Sequence, residues 1–470
     1  MNDTNRDPTS EPWQLNAVEQ VSLVSSGRLT CRQLVESHVG RIRALNNQLG
    51  AVTVMLEETA LAAADKADRA SCRGALHGLP FTVKEDIDCL GSPTTHGVPA
   101  LRDAFPYEDA PIVARLRAAG AIPIGRTNLS EMGLRLCTTN PLHGRTFSPY
   151  DRRLTVGGSS GGDAVAVVTG MTPVGIGGDL GGSLRVPAAC CGCAALKPTS
   201  GRIPHAYSLE PRDNGLAMQL MFSVGLLTRS AQDLGLLLPN VAGRDLRDPR
   251  SVNVPLQGQY QQELTAAIVT SIPGITIESG ATNAVRRAGA LLKSAGWQVE
   301  EATPPEVPKV AEVFATLLAA ELEAMAHRAQ PILSDAVLSH VQRLCGSSAA
   351  HRLHYPTLHA ERSRLIRVWS GFFSEYSVVV GPNLVRPIWQ IDSDLDADTG
   401  IALIDEATRF LAPGNALGIP SLTLPTGVVN GRPRGVVIYA DLWREDTCVK
   451  AAMAIEAGLA VNRPIAPQWS

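Results

Sequence analysis

Two glycine-rich loops in the middle of the chain carry serines that can act as nucleophiles. One loop, GGSSGG, spans residues 157–162 with Ser159 at its third position, and the other places Gly181 and Gly182 directly before Ser183. Adjacent glycines let the backbone approach a substrate carbonyl closely, because they carry no Cβ atom. Their N–H groups can then stabilise the oxyanion of a tetrahedral intermediate. The pattern predicts Ser183 as the nucleophile of a hydrolase.

A serine hydroxyl is a weak nucleophile and needs a base that takes its proton. The chain has ten histidines, but none lies within residues 144–201, where both loops are found. Lys84 is the alternative, because it ends the apolar segment 79–83, a predicted buried strand. Desolvation at such a position favours the neutral amine, which is the form that accepts a proton. A lone lysine is usually a solvated surface charge, so this assignment depends on the two serine loops.

Other catalytic arrangements fit the sequence less well. The first loop matches G-x-S-x-G around Ser159 and around Ser160, which is the nucleophile elbow of an esterase. An elbow follows a buried strand directly, and residues 152–156, RRLTV, make a poor strand. Neither a P-loop nor a dinucleotide-binding glycine fingerprint occurs in the chain.

Cysteine and histidine spacings do not support a metal centre. Cys191 and Cys193 form a C-x-C pair in an apolar stretch, where free cysteines are commonly small buried side chains. His351, His354 and His359 are separated by three and five residues, which is not the i, i+4 pair of a helical zinc motif. The sequence therefore predicts an enzyme without a metal or another cofactor.

The elements around these motifs alternate between strands and helices. A capping-box pattern at Thr30 and Gln33 begins a helix, and apolar segments at 52–56, 79–83 and 121–124 are predicted strands. Further strands are predicted at 378–380, 422–424 and 436–439. This order favours an α/β fold with a large mixed, mostly parallel sheet covered by helices on both faces.

The chain shows no linker composition that would divide it. Residues 15–470 are therefore expected to form a single domain after a disordered tail at 1–14. Residues 308–375 are predicted to be a helical region on the substrate side, which walls the pocket together with loops after residue 130. The low aromatic content of 4% favours a compact aliphatic or polar pocket.

The composition argues against several classes of protein. Lys and Arg total 42 and Asp and Glu total 45, and a net charge of −3 does not fit a dedicated nucleic-acid-binding protein. No apolar run approaches the roughly 20 residues that span a bilayer, so no membrane segment is predicted. The nine cysteines do not form a pair of CxxC motifs. They fit a reducing compartment, and a cytoplasmic location is expected.

Six segments in the same order resemble the amidase signature hydrolases, which use a Ser-cisSer-Lys triad. They are HGLPFTVK at 77–84, GRTNLSEM at 125–132, NPLHG at 140–144, GGSSGG at 157–162, the stretch 177–188 and LKPTSGR at 196–202. Weaker matches continue at 225–230, 418–421 and 425–427. The resemblance covers roughly residues 15 to 460 and implies the amidase signature fold.

The resemblance also implies a role for each matched residue. Ser183 attacks the amide carbonyl, and Ser159, joined to Gly158 by a cis peptide bond, relays the proton between Ser183 and Lys84. Water then hydrolyses the acyl-enzyme. The oxyanion hole is implied to consist of the backbone N–H groups of Leu180, Gly181, Gly182 and Ser183. The residues implied to hold the loops are Ser160, Asp179 and Arg185.

Three positions depart from the family pattern. Gly178 stands where threonine is usual, and Glu85 follows the lysine where aspartate is common. Asp163 follows the glycine loop where a small residue is frequent. None of the three is a triad residue, so the chemistry is expected to survive. His143 is expected to be a structural hydrogen-bond partner and not a base.

The resulting expectation is a serine amidase that hydrolyses the C–N bond of a small amide to a carboxylic acid and ammonia or an amine. A glutamine-hydrolysing A-type subunit of a tRNA-dependent amidotransferase would carry the same triad, although no basic tract for tRNA is visible. A catalytically silent binding protein on the same fold and an esterase with Ser160 as nucleophile are two further candidates. The family makes a homodimer plausible, with no nucleic-acid or membrane partner. The motifs do not name the amide.

Overall fold

A large β-sheet runs through the whole described part of the protein. The computed structural model describes residues 11–71, 73–209, 213–256, 264–347 and 355–469. The strands in these ranges are β1 (Val52–Met55), β2 (Pro80–Lys84), β3 (Ile122–Thr127), β4 (Thr139–Asn140), β5 (Gly144–Arg145), β6 (Val174–Asp179), β7 (Ala194–Lys197), β8 (Ser223–Thr228), β9 (Thr265–Ile268), β10 (Gln298–Glu301), β11 (Val378–Pro382), β12 (Ser421–Val429) and β13 (Arg432–Tyr439).

Eleven of these strands form one mixed sheet in the order β1-β3-β2-β6-β8-β7-β12-β13-β11-β9-β10, and β4 pairs with β5 separately. Four neighbouring pairs of the large sheet are parallel: β3 with β2, β2 with β6, β11 with β9, and β9 with β10. The other six pairs are antiparallel. The prediction of a mixed α/β sheet is confirmed, but the prediction that it is mostly parallel is wrong.

One hairpin shows why the direction of pairing was mispredicted. Asn430 and Gly431 connect β12 to β13, and both have positive φ values, 52° and 70°. A two-residue turn of this kind produces an antiparallel pair, whereas parallel neighbours need a longer crossover. The strand positions alone do not contain this information.

The helices of the described residues flank the sheet. They are α1 (Ala17–Ser25), α2 (Cys31–Leu49), α3 (Glu57–Asp68), α4 (Pro111–Ala118), α5 (Gly161–Val168), α6 (Arg185–Cys191), α7 (Leu216–Met221), α8 (Ala231–Val241), α9 (Ser279–Ser294), α10 (Val307–Ala329), α11 (Asp335–Ser347), α12 (Tyr355–Phe373), α13 (Gly400–Thr408), α14 (Ala412–Ala416) and α15 (Glu445–Glu456). The predicted capping box begins α2, because Thr30 accepts from the N–H of Gln33 and Gln33 accepts from the N–H of Thr30.

Each face of the sheet has its own hydrophobic core. Val378 and Val380 of β11 pack into a core that includes residues of α4, α8, α9 and α15. Val379, between them, packs into the opposite core with residues of α2, α5, α10 and α12. Alternation along a strand sends successive side chains to opposite faces, so a strand that is apolar at every position is covered on both sides. The predicted helical layers on both faces are confirmed.

The serine loops and Lys84 meet at one edge of the sheet. β2 and β6 are adjacent and parallel, so their carboxyl ends lie side by side. Lys84 is the last residue of β2, and β6 ends at Asp179, just before the loop that carries Ser183. α5 begins at Gly161, immediately after the two serines of the first loop.

Some of the sequence predictions concern residues that the structure does not describe. Residues 1–10 of the predicted tail lie outside the described residues, whereas Pro12–Gln14 form a 3₁₀ helix. His351 and His354 also lie outside the described residues, and His359 is on α12. Among the residues that the structure describes, no helix has the length and apolar character to cross a bilayer.

Candidate active site

Lys84 and Ser159 form a buried hydrogen-bonded pair at the carboxyl edge of the sheet. Nζ of Lys84 lies 2.7 Å from Oγ of Ser159, and each residue is 1% exposed. The peptide bond between Gly158 and Ser159 is cis, as the resemblance implies. This contact has the length that proton exchange between the two side chains requires.

Ser183 lines the same cavity as this pair. A hydrogen bond of 3.1 Å from the N–H of Ser160 to the carbonyl oxygen of Ser183 ties the two serine loops together. Ser183 is 8% exposed, more than either Lys84 or Ser159. The three residues of the predicted triad are therefore gathered around one cavity, with Ser183 the most accessible of them.

The backbone N–H groups of the Ser183 loop divide into two sets. That of Gly182 donates to Oδ1 of Asp179 at 2.8 Å. Those of Leu180, Gly181 and Ser183 make no hydrogen bond to any residue that the structure describes. The N–H of Gly182 is thus already occupied, which differs from its predicted place in the oxyanion hole. The acceptor is the carboxylate of Asp179, and the spacing of the residues in the sequence did not reveal this contact.

Asp179 and Arg185 form a fully buried ion pair behind this loop. Nε and Nη2 of Arg185 each lie 2.9 Å from a carboxylate oxygen of Asp179. Asn415 of α14 donates to the same carboxylate at 3.0 Å and to the carbonyl oxygen of Asp179 at 3.1 Å. Burial acts to raise the pKa of Asp179, but the guanidinium of Arg185 outweighs it and holds the pKa well below its ordinary value. The ionised carboxylate orders the turn before Ser183.

Ser160 contacts the Ser183 loop through its backbone N–H. Its Oγ is buried and has no hydrogen-bond partner among the described residues. A Cβ atom on Gly177 would come within 2.6 Å of that oxygen, so the glycine leaves the room that the hydroxyl occupies. Because the hydroxyl is enclosed in this way, the geometry disfavours Ser160 as the nucleophile of an esterase elbow.

Arg126 of β3 holds the backbone around Lys84. Its buried guanidinium donates to the carbonyl oxygens of Lys84 at 3.0 Å, Ile87 at 2.7 Å and Pro93 at 2.8 Å. Three carbonyl acceptors around one guanidinium fix the turn that follows β2. In the sequence analysis Arg126 appears only as part of the GRTNLSEM segment, and no role was predicted for it.

Asp86 is a cavity residue that sequence reasoning missed. Its Oδ2 lies 2.8 Å from Nζ of Lys84, and the residue lines the cavity. Burial acts to raise the pKa of Asp86, but the positive charge of Lys84 outweighs it, and the pKa lies below its ordinary value. Asp86 lies in the turn after β2, which the hydrogen bond of 3.0 Å from the N–H of Ile87 to the carbonyl oxygen of Lys84 closes. Its nearness to Lys84 in the sequence was the signal that could have identified it.

Glu85, one of the three departures from the family pattern, is surrounded by hydrogen-bond partners. Its carboxylate accepts from the hydroxyls of Thr53 and Thr95 and contacts Nε2 of His143 at 2.9 Å. Burial acts to raise the pKa of Glu85, but His143 and the two hydroxyls lower it below its ordinary value. The expected structural role of His143 is confirmed, and the longer Glu85 side chain is fully accommodated.

The other two departures are accommodated by packing. Asp163 accepts a hydrogen bond from Oγ1 of Thr127 at 2.7 Å, and burial raises its pKa to about 8. At Gly178 a Cβ atom would come within 2.6 Å of Cζ of Phe222. The Phe222 ring therefore occupies the space into which a side chain at position 178 would extend.

A cavity of about 860 Å³ opens onto Lys84, Ser159 and Ser183. Most of its wall is apolar. Its apolar lining residues include Met132, Leu134, Leu180, Met218, Phe222, Phe314, Leu318, Leu322, Leu344 and Ile404. This volume is in the range of roughly 300–1,000 Å³ that pockets for small organic ligands occupy. The expected aliphatic character is confirmed, but the expectation of a compact pocket is wrong, because the volume lies near the upper end of this range.

The walls come partly from the regions that the sequence indicated. α10 and α11 and the loop after residue 130 all contribute, but none of the described lining residues belongs to α12. A further wall, at residues 398–412, was not predicted. Its residues lie more than 200 positions from Ser183 and carry no motif that connects them to the triad.

A cluster of Cys137, Asp392 and Asp394 has the ligand types of a metal site. Nη2 of Arg135 lies 2.7 Å from Asp392 and 2.8 Å from Asp394, and Arg145 also pairs with Asp392. Because arginines already contact both carboxylates, the cluster is an ion-pair network that fixes the loop after Glu131.

Comparisons with known proteins agree with this geometry. The amidase family matches residues 33–449 of the chain. Indoleacetamide hydrolase from Bradyrhizobium diazoefficiens is 36% identical over 97% of this chain and 89% of its own. The A-type subunit of the glutamyl-tRNA(Gln) amidotransferase from Geobacillus stearothermophilus is 30% identical over 93% of this chain and 95% of its own.

The fold is also found in a solved structure of another hydrolase. The structure of 6-aminohexanoate cyclic dimer hydrolase complexed with substrate has a TM-score of 0.82 and 25% sequence identity, and the match covers 98% of this chain and 99% of that one. The family match extends over most of the chain, and the cavity sits at the edge where the family motifs converge. The protein therefore belongs to the amidase signature family and is a hydrolase of carbon–nitrogen bonds in small-molecule amides.

Proposed function

We propose that the protein hydrolyses a primary amide with a bulky apolar acyl group, of the arylacetamide class to which indoleacetamide belongs. The observation that carries this proposal is the large, mainly apolar cavity in front of Lys84, Ser159 and Ser183. Burial of apolar area contributes about 25 cal/mol per Å², so such a wall binds an aryl group better than a small polar one. The relative that shares 36% identity is an indoleacetamide hydrolase, which supports the same class.

In the proposed reaction Ser183 is the nucleophile. Its Oγ forms a bond to the amide carbon while its proton passes through Ser159 to Lys84, which must have given up its own proton before this step. The carbon–nitrogen bond of the tetrahedral intermediate then breaks, and the proton returns from Lys84 through Ser159 to the leaving nitrogen. Ammonia departs, and water hydrolyses the acyl-enzyme to the carboxylic acid by the same proton route.

The backbone would stabilise the negative charge that develops on the carbonyl oxygen. The N–H groups of Leu180, Gly181 and Ser183 are the proposed oxyanion donors, because Gly182 donates to Asp179. Such donors are commonly worth about 10²–10³ in kcat each. We assign Ser160, Asp179 and Arg185 to holding the loop.

Ammonia release tests this proposal. Indole-3-acetamide, phenylacetamide, propionamide and glutamine are compared with the wild type, Ser183→Ala, Lys84→Ala and Ser160→Ala. We expect turnover of the two aryl substrates to exceed that of propionamide and to fall by at least about 10³-fold in Ser183→Ala and Lys84→Ala. Ser160→Ala keeps its backbone N–H and should retain turnover within about tenfold of the wild type.

Two results would contradict the proposal. Turnover that persists in Ser183→Ala would remove Ser183 as nucleophile, and its loss in Ser160→Ala alone would favour the esterase elbow. Release of ammonia from glutamine only, and only with an added partner protein, would instead support an amidotransferase component such as the relative that shares 30% identity.

A homodimer in the cytoplasm is part of the same proposal. Every cysteine that the structure describes is free, which suits a reducing compartment. Sedimentation equilibrium at micromolar concentration distinguishes a dimer from a monomer.

A further inference from the structure

Asp86 has one carboxylate oxygen engaged and one without a partner. Oδ2 contacts Nζ of Lys84 at 2.8 Å, whereas Oδ1 is buried and has no hydrogen-bond partner among the described residues. The side chain is 14% exposed and lines the cavity that also holds Ser183. A buried acceptor without a donor is costly, so a ligand N–H that reaches Oδ1 would be bound favourably.

The groups around Asp86 do not replace such a donor. Besides Lys84, the titratable groups that interact with its charge are His96 and His205. Burial lowers the pKa of His96, and it lowers the pKa of His205 to about 4, so neither ring is a cation at pH 7. A neutral imidazole still carries one N–H. Neither ring donates to Oδ1, which has no hydrogen-bond partner among the described residues. Asp163, which also interacts with Asp86 and Lys84, is a carboxyl group and offers no cation.

The position of Asp86 points to the leaving-group end of the cavity. In the proposed reaction the departing nitrogen receives its proton from Ser159. Oγ of Ser159 and Oδ2 of Asp86 lie 2.7 and 2.8 Å from the same Nζ atom of Lys84. The Asp86 carboxylate is therefore a neighbour, through Nζ of Lys84, of the hydroxyl that gives the proton to the leaving nitrogen.

We propose that Oδ1 of Asp86 accepts an N–H of the scissile primary amide, which makes Asp86 a specificity-determining residue for unsubstituted leaving nitrogen. The inference rests on the proposed function only in that the substrate is a primary amide. A carboxylate that accepts from the amide N–H₂ also receives the ammonia formed there. An ester of the same acid has no N–H at this position and gains nothing from Asp86.

The test compares three substrates with one acyl group. The primary amide that the wild type hydrolyses best, its N,N-dimethylamide and its methyl ester are assayed with the wild type, Asp86→Ala, Asp86→Asn and Asp103→Asn. Both amides need a proton from Lys84 on the leaving nitrogen, so any effect of Asp86 on the protonation of Lys84 acts on both and cancels in the ratio of their kcat/KM values. Asp103→Asn makes the same charge change at an exposed residue outside the described lining of the cavity.

We expect the ratio of primary amide to N,N-dimethylamide to fall by about ten- to a hundredfold in Asp86→Ala, and by less in Asp86→Asn, which keeps an acceptor oxygen. Asp103→Asn should leave the ratio at the wild-type value. Retained ester turnover shows that the variants fold and keep Ser183 active. Equal losses for the two amides would overturn the proposal, because Asp86 would then act only on Lys84.

A comparison on the wild type needs no variant. The proposal predicts that the wild type hydrolyses the primary amide at least about tenfold faster, in kcat/KM, than its N,N-dimethyl derivative. Equal rates for both amides would contradict it. The absence of any turnover of arylacetamides would reject the proposed acyl group, but the comparison could still be made with whichever primary amide releases ammonia.

Discussion

Replacing Asp179 with asparagine removes a buried charge that contacts the loop before Ser183. Asp179 and Arg185 are both fully buried, so Asp179→Asn leaves a guanidinium in the interior without its counter-charge. The N–H of Gly182 also loses a carboxylate acceptor. Breaking a buried pair by removing one partner costs about 3–5 kcal/mol. We expect the free energy of unfolding at pH 7 to fall by this amount and kcat/KM to fall with the displaced loop.

The size of this loss depends on pH in a defined direction. The pKa of Asp179 in the folded protein is held below the value of about 3.9 that an unperturbed aspartate has. The charge of Asp179 therefore stabilises the protein fully above that value, and this stabilisation is lost as the pH falls through the folded pKa. The difference between wild type and Asp179→Asn should be constant from about pH 5 to 8 and should shrink below about pH 4.

Urea unfolding followed by circular dichroism measures the difference, provided that the slope m is unchanged. Asp151→Asn is the matched control, because Asp151 pairs with Arg153, whose side chain is 83% exposed. An exposed pair contributes about 0–1 kcal/mol, so the control should stay within that range of the wild type. If Asp179→Asn unfolds at the same urea concentration as Asp151→Asn, the reasoning from burial is refuted.

Three further predictions concern the surroundings of the site. Burial lowers the pKa of Lys197 to about 7, so wild-type stability should rise between about pH 7 and 10 by up to ~1.4 kcal/mol per unit, and urea unfolding of Lys197→Met should lack this rise. Gly178→Thr should cost about 1–3 kcal/mol because Phe222 must move, and a double-mutant cycle with Phe222→Leu should recover part of it. Glu131→Gln weakens the hydrogen bonds from the N–H and Oγ of Ser334 that hold the start of α11, so steady-state kinetics should show a raised KM with a smaller change in kcat.

The parts of the site that lie within short motifs could be predicted from the sequence. Lys84 ends an apolar strand, and Ser159 and Ser183 follow glycines that shape tight loops, so each residue carries its own local signal. Parallel pairing of β2 with β6 then brings the motifs together without any further information from distant segments. The resemblance added the order of the proton relay, which residue types alone left open.

The contacts that could not be predicted join residues that are far apart or are set by fine geometry. Asn415 reaches Asp179 across more than 230 positions, and nothing in its own segment indicates that contact. The N–H of Gly182 is turned towards a carboxylate by the path of the loop, which spacing does not determine. Asp86 is the exception, because its position two residues after Lys84 was visible in the sequence.

The proposed triad lies within the motifs, whereas much of the cavity wall lies outside them. Both an indoleacetamide hydrolase and the A-type subunit of a glutamyl-tRNA(Gln) amidotransferase are similar to this chain over nearly its whole length, so overall similarity does not name the substrate. The cavity wall is contributed by α10, α11 and residues 398–412, which lie outside the motifs. A single methylene in a hydrophobic pocket changes discrimination by about 1–3 kcal/mol. A few substitutions at wall residues such as Phe314 or Met218 are therefore enough to redirect the enzyme to another acyl group while the residues around Ser183 stay the same.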